Sequence, residues 1–199
     1  MSSPAFERFG FYTVDVDYME FLYNRDSEVY YNPDYRDANK PFIGIIVHLS
    51  DYEYFIPMTS AKERHRRLKN VSDEHLLVYE RVPIDLNVFN AIYKPFSDEE
   101  KLHILAALDI KKMIPVPEAC RTAIIFQNLE DERYRHLLEK EYAFCLSRKD
   151  KILEKAKKCY DAQCSFHTVR ARHCNYLLCE AALKEWEGTN CPENLSSQI

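Results

Sequence analysis

The stretch "FIGIIVHLSDYEYFIPMTSAKERHRRLKN", Phe42 to Asn70, decides how the chain folds. Phe42–Leu49 is β-branched and mostly apolar, which predicts a central strand buried on both faces. Ser50, Asp51 and Tyr52 supply the turn, and Glu53–Met58 returns as the hairpin partner. Pro57 has no N–H to give to a ladder, so it should lie near that strand's end or on an edge. Ser60-Ala61-Lys62-Glu63 has the capping-box spacing S-x-x-E and predicts a helix start. A dense run of cations follows at once.

Working outward, "FYTVDVDYMEFL" (Phe11–Leu22) opens with the alternation of a half-buried strand, after which Asp17 can cap a short helix. Asn24–Pro41 is a turn-rich loop with Asn-Pro and Lys-Pro breaks. Downstream, "HLLVYERVP" (His75–Pro83) reads as a strand, and Leu86–Phe96 fits either state. "SDEEKLHILAALD" (Ser97–Asp109) carries a second capping box and predicts a helix. "IKKMIPVPEA" (Ile110–Ala119) predicts a short strand ended by Pro117. From Asn128 the spacing becomes helical, with two helices broken near Ser147. A last helix is predicted over Ser165–Gly188, ended by Gly188.

Strands therefore cluster early and helices late. That is an α+β pattern, with a twisted, mainly antiparallel sheet flanked by helices and a helical C-terminal part. The division is one domain over 1–199, with a mainly sheet core over 1–127, a helical part over 128–188 and a flexible tail over 189–199. The chain has 199 residues, of which 46% are hydrophobic, enough for one packed core. Three glycines and no Gly-rich phosphate loop exclude the common nucleotide-binding motifs.

No basic-then-apolar leader opens the sequence, and its apolar runs are too short to span a bilayer. The expectation is a cytoplasmic protein with no membrane partner and reduced thiols. The seven cysteines include Cys159, Cys164, Cys174 and Cys179, spaced C-x4-C twice. In a region that reads as helix, pairs five apart diverge around the axis. They are read as buried thiols, with no metal and no cofactor.

Net charge is −5, but the cations are concentrated. Lys62–Lys69 holds five cations against one acid, and Arg148–Lys158 holds six against two. A polyanion would meet these two basic segments rather than the average. The Ser60 segment has a plain explanation as a capped helix with a solvated face. The same geometry would also bind an anion: a helix N-terminus, two hydroxyls from Thr59 and Ser60, and the mobile charge of Lys62. Arg64, Arg66, Arg67 and Lys69 would widen it into a track for a phosphate backbone. His65, one turn from Lys62, has the right intrinsic pKa to carry a proton. Arg148, Lys149, Lys151 and Lys155 would offer a second phosphate-contacting face, or simply a solvated helix with acids among its lysines.

The blocks "FYTVDVDYMEFL", "NKPFIGIIVHL", "YFIPMTSAKERH", "KKMIPV" and "YRHLLEKEYAFCLSRKDKILEKAKKCYD" occur in that order. In this they resemble the ToxN/AbiQ family, the protein toxins of type III toxin–antitoxin systems. The resemblance covers roughly Phe11 to Asp161 and is most specific from "KPFIG" to "PMTSAK". It implies a core similar to MazF/Kid-type toxins and a metal-independent endoribonuclease active in phage defence. It implies cleavage by attack of the 2′-hydroxyl, leaving 2′,3′-cyclic phosphate and 5′-hydroxyl ends. It implies a structured, repeat-derived antitoxin RNA as partner, closing with the toxin into a ring, and substrate RNA. By position, the family's active site falls on Tyr18, Lys40, Thr59, Ser60 and Lys62, with Tyr35 upstream of Lys40. Two rivals use the same residues: a non-catalytic RNA-binding protein, and a MazF-like toxin with a protein antitoxin.

Overall fold

The hairpin is present. In the computed structural model, which describes residues 9–32 and 42–190, β2 (Phe42–Leu49) pairs antiparallel with β3 (Tyr52–Ser60) through a turn at Ser50, whose φ is 55°. Around it lie β1 (Phe11–Val14), α1 (Val16–Tyr23), β4 (Leu76–Pro83), β5 (Ile92–Pro95), β6 (Glu100–Leu108), β7 (Ile114–Pro115) and β8 (Arg121–Ala123). Three long helices follow: α2 (Glu132–Ser147), α3 (Lys149–Phe166) and α4 (Tyr176–Asn190). The strand order is β4-β6-β3-β2-β1-β8, with β5 on β6 and β7 on β3, and every pairing among the described residues is antiparallel. This is the α+β architecture the element pattern calls for.

Two positions in the hairpin explain its shape. A Cβ on Gly44 would stand 2.1 Å from the Ile56 carbonyl oxygen and 2.7 Å from the Phe55 ring, so only glycine lets β2 and β3 approach. Pro57 lies inside β3, not at its end. Its carbonyl accepts the Asp109 N–H at 2.9 Å. The missing N–H faces the same side, in the gap between β7, which pairs at Tyr54–Phe55, and β6, which pairs at Met58–Ser60. Proline is tolerated because this is where the β3–β6 pairing ends, with the Pro57 carbonyl accepting and no N–H given back.

Three expectations are corrected. Ser97–Asp109 is a turn and a strand rather than a helix. The Ser97 hydroxyl does accept the Glu100 N–H at 3.0 Å, but Ser97 N–H also donates to the Glu100 carbonyl at 2.9 Å, which closes a tight turn. β6 then runs between β4 on one side and β5 and β3 on the other. A strand covered on both faces has a continuous apolar run, and periodicity cannot separate that from a buried helix. The cap of α1 is Asp15, which accepts the N–H groups of Asp17 and Tyr18. The last helix begins only at Tyr176, where the Asn175 side chain accepts the Leu178 N–H at 3.2 Å, and it continues past Gly188. Left-handed backbone at His167 (φ 46°) ends α3 and, with Arg172 (φ 65°), shapes the loop between.

α4 is fastened to the sheet by polar contacts as well as packing. The Glu180 carboxylate accepts hydroxyls from Tyr54 of β3 at 2.6 Å and Tyr160 of α3 at 2.8 Å. Trp186 packs edge-on to Tyr18 at 5.3 Å. α2 lies on β4 through Tyr79 and Phe144, 5.0 Å apart. Cys120, Cys145, Cys159, Cys174 and Cys179 are buried as free thiols in this core, and Cys164 is half-buried. No group of three or more His, Cys, Asp or Glu side chains among the described residues could hold a metal ion. No described helix is long and apolar enough to cross a membrane.

Candidate active site

β3 delivers the hydroxyl pair. Thr59 and Ser60 pair with Ala107 and Ala106 of β6, and the Ala61 N–H donates to the Leu105 carbonyl at 3.1 Å. Thr59 is half-buried and Ser60 exposed at the open end of the strand. Ser60 is therefore a strand terminus, and the expected helix N-terminus at this point is absent. Lys62 is still extended (φ −138°), and only then does a five-residue 3₁₀ helix form over Glu63–Arg67. Glu63 pairs with Arg66 at 3.1 Å instead of reaching back to Ser60. Positive charge at this site comes from side chains rather than from a helix dipole.

His65 fixes the turn. It is 2% exposed, and its Nδ1 accepts the Lys62 N–H at 3.2 Å, while its own N–H donates to the Lys62 carbonyl at 2.8 Å. Accepting at Nδ1 places the ring proton on Nε2. Burial first, then the charges of Arg64 and Lys62, push the imidazole pKa below its ordinary value, and Asp109 opposes them. In this state His65 has no lone pair left to take a proton from a substrate. Its contacts make it a residue that positions Lys62.

Behind the turn lie two groups that the sequence pattern did not single out. The Tyr30 hydroxyl donates to Asp109 Oδ2 at 2.9 Å, and the Arg64 guanidinium interacts with the same hydroxyl. Burial and the Asp109 charge push the Tyr30 pKa up, so the phenol stays protonated. Tyr30 and Asp109 are 79 residues apart, and no local motif could have linked them. Arg64, Arg66 and Arg67 are exposed and, with Glu63 and Pro95, line one open concavity. β5 shores up this edge, where Lys94 Nζ donates to the Leu68 carbonyl at 2.6 Å and to Asn70 at 2.8 Å. Lys69 is exposed, and its carbonyl meets His75 Nε2 at 2.9 Å.

The other candidates separate from this group. Tyr18 is fully buried, and its hydroxyl donates to the Pro115 carbonyl at 2.8 Å. Pro115 pairs with Tyr54, six residues before Ser60, which is about 20 Å along the strand. Tyr18 thus belongs to the core under α4, and burial raises its pKa. Lys40 and Tyr35 lie outside the described residues. The basic face on α3 is largely used internally. Lys155 reaches Asp73 at 2.7 Å with its side chain 14% exposed, and Lys151 pairs with Glu154 at 2.8 Å. Arg148 lies 5.3 Å from the Phe144 ring and Lys149 lies 5.6 Å from that of Phe9.

What emerges is an open strand end with two hydroxyls, a lysine held by a buried histidine, and an arginine-lined concavity beside it. The fold carrying it belongs to a class of small bacterial toxins. A solved structure from work on selective toxin inhibition by a non-coding RNA pseudoknot in type III toxin–antitoxin systems superposes with a TM-score of 0.67 at 20% identity, covering 91% of this chain and 99% of that one. The family model described as "Toxin ToxN, type III toxin-antitoxin system" matches residues 10–184, and the chain belongs to that family. It is 29% identical over 147 residues to the endoribonuclease ToxN of Pectobacterium atrosepticum, covering 73% of this chain and 76% of that relative. It is 26% identical over 152 residues to the endoribonuclease ToxN of Bacillus thuringiensis subsp. kurstaki, covering 75% of this chain and 66% of that relative's length.

Proposed function

We propose that this chain is a metal-independent endoribonuclease, the cytoplasmic toxin of a type III toxin–antitoxin system. The observation that carries the reading is the Thr59–Ser60 strand end running directly into Lys62 and an arginine-lined concavity, in a chain whose relatives are named endoribonucleases. A scissile phosphate at the strand end would meet the Ser60 and Thr59 hydroxyls as hydrogen-bond donors. Lys62 would stabilise the charge that grows on the phosphorane. Attack by the neighbouring 2′-hydroxyl then leaves 2′,3′-cyclic phosphate and 5′-hydroxyl ends. Arg64, Arg66, Arg67 and Lys69 hold the flanking strand as phosphate contacts, and His65 with Tyr30 and Asp109 keeps Lys62 and Arg64 in place. Lys40 and Tyr35 complete the site on the family pattern.

The inhibitor on this reading is a structured, repeat-derived RNA that the toxin also trims, in a ring-like toxin–RNA assembly. The test is RNA cleavage in EDTA by the wild type beside Ser60→Ala and Lys62→Ala, with end-group analysis. Each variant should keep its fold and lose on the order of 100-fold in rate. Wild-type protein that binds RNA without cutting it, or that cuts only with added metal, would refute the proposal.

A further inference from the structure

The loop joining α3 to α4 is an exposed basic and aromatic surface that the ribonuclease site does not use. Residues 165–172 are all exposed, and Phe166 is 77% exposed. The segment carries Arg170 and Arg172, and no acid occurs from Ala162 to Cys179. The loop is held at its base. The Gln163 amide donates to the Cys174 carbonyl at 2.9 Å and accepts the Tyr176 N–H at 2.7 Å, while the Cys174 N–H donates to the Lys111 carbonyl at 3.0 Å. An aromatic ring displayed from so firm a base loses little entropy on stacking.

A small, partly open cavity of about 60 Å³ lies behind the loop, with Lys158, Thr168, Arg170 and His173 in its wall. His173 is 4% exposed, and its Nε2 has no hydrogen-bond partner. Glu74 Oε1 lies 3.3 Å from that nitrogen but out of hydrogen-bond alignment. Asp73 and Glu74 also line the cavity, and both are already neutralised: Asp73 by Lys155 and Lys158, Glu74 by Lys111. The turn that bears them leads back to the active site, since the Lys69 carbonyl meets His75 Nε2 at 2.9 Å and the Leu77 N–H donates to the Asn70 carbonyl at 2.9 Å. A strand leaving the arginine-lined concavity past Lys69 would follow this turn to the cavity.

We propose that the Phe166–Arg172 loop and the cavity behind it form an accessory subsite for single-stranded RNA, in which Phe166 stacks a base and Arg170 and Arg172 hold the flanking phosphates. The inference rests on the ribonuclease reading and extends it. Stacking on an exposed ring is the sequence-tolerant way to hold an unpaired strand. Arginines in register with the backbone add the salt-dependent part of the affinity.

The experiment measures binding of labelled RNA by the full chain carrying Ser60→Ala, so that cutting is slow on the timescale of binding, over a range of salt. A long single-stranded RNA, a short single-stranded oligonucleotide and a blunt duplex serve as probes. Arg170→Ala with Arg172→Ala should weaken the long strand about tenfold or more and lower the salt slope by about 1.4, which is two phosphate contacts. Phe166→Ala should weaken the long strand about tenfold, well beyond its effect on the short oligonucleotide or the duplex, and Phe166→Trp should restore affinity. Unchanged affinity and slope in the arginine variant would overturn the subsite while leaving the ribonuclease reading intact. Equal losses on single strand and duplex in Phe166→Ala would overturn the stacking role. A parent that binds none of the RNAs would bring down both readings together.

Discussion

His65 should set the acid sensitivity of the proposed site. Its pKa is lowered in the fold, so the unfolded chain binds the proton more readily. The stability it contributes is complete above the unfolded value near 6.5 and is lost as pH falls toward the folded pKa. The chemistry agrees, because a protonated ring has two N–H donors and Nδ1 can no longer accept from Lys62. RNA cleavage should therefore hold at pH 6.5 and fall only at a more acidic pH, where the ring in the fold takes its proton, together with amide protection at Lys62. His65→Gln, which offers a carbonyl acceptor that does not titrate, should flatten that acid limb. An unchanged limb in His65→Gln would show that another group sets it. Thr59, Ser60, Lys62 and the arginines could be found from sequence because they are contiguous. Tyr30 and Asp109 could not, because their contact with Arg64 exists only once the loop after α1 is folded against the end of β6.

Among the elements, the errors and successes of sequence reading share a cause. The β2–β3 hairpin and the α2–α3 break near Ser147 were legible because local turn chemistry and periodicity agreed with the tertiary fold. β6 was not, since Ile104 to Leu108 is buried throughout and its apolar run has no period to read. The start of α4 was missed because Phe166–Arg172 contains no glycine or proline, and left-handed His167 and Arg172 make the turn instead. α2 hides a further cost. Glu141 faces inward at 3% exposure, and burial alone pushes its pKa up to about 7. A raised carboxyl pKa favours the fold below the unfolded value near 4.5, and that stability is lost as pH rises through about 7. Urea denaturation should show Glu141→Gln gaining on the wild type by about 3 kcal/mol at pH 8, and much less at pH 5. A gain independent of pH would mean that Glu141 is not desolvated in solution.

Across the whole molecule, early and late segments are stitched together over long separations. Arg25 of the α1 end pairs with Glu185 at 2.6 Å, and Asp26 accepts the Asn175 N–H at 2.6 Å, links of 160 and 149 residues. α4 lies over both buried tyrosines, with Trp186 against Tyr18 and Glu180 accepting from Tyr54. Contacts this distant form late, since the loop must close before they contribute. Chains stalled on the ribosome with α4 still in the exit tunnel should be cut readily by protease, and protection should appear when α4 emerges. Protection of the earlier chain would mean that the sheet closes without its last helix.

The Tyr54–Glu180 clasp therefore has a bearing on self-harm during synthesis. On the ribonuclease reading, a sheet that closes only when Tyr54 meets Glu180 should have no settled cutting edge while α4 is still in the exit tunnel. Cleavage of the encoding transcript would then await the docking of α4.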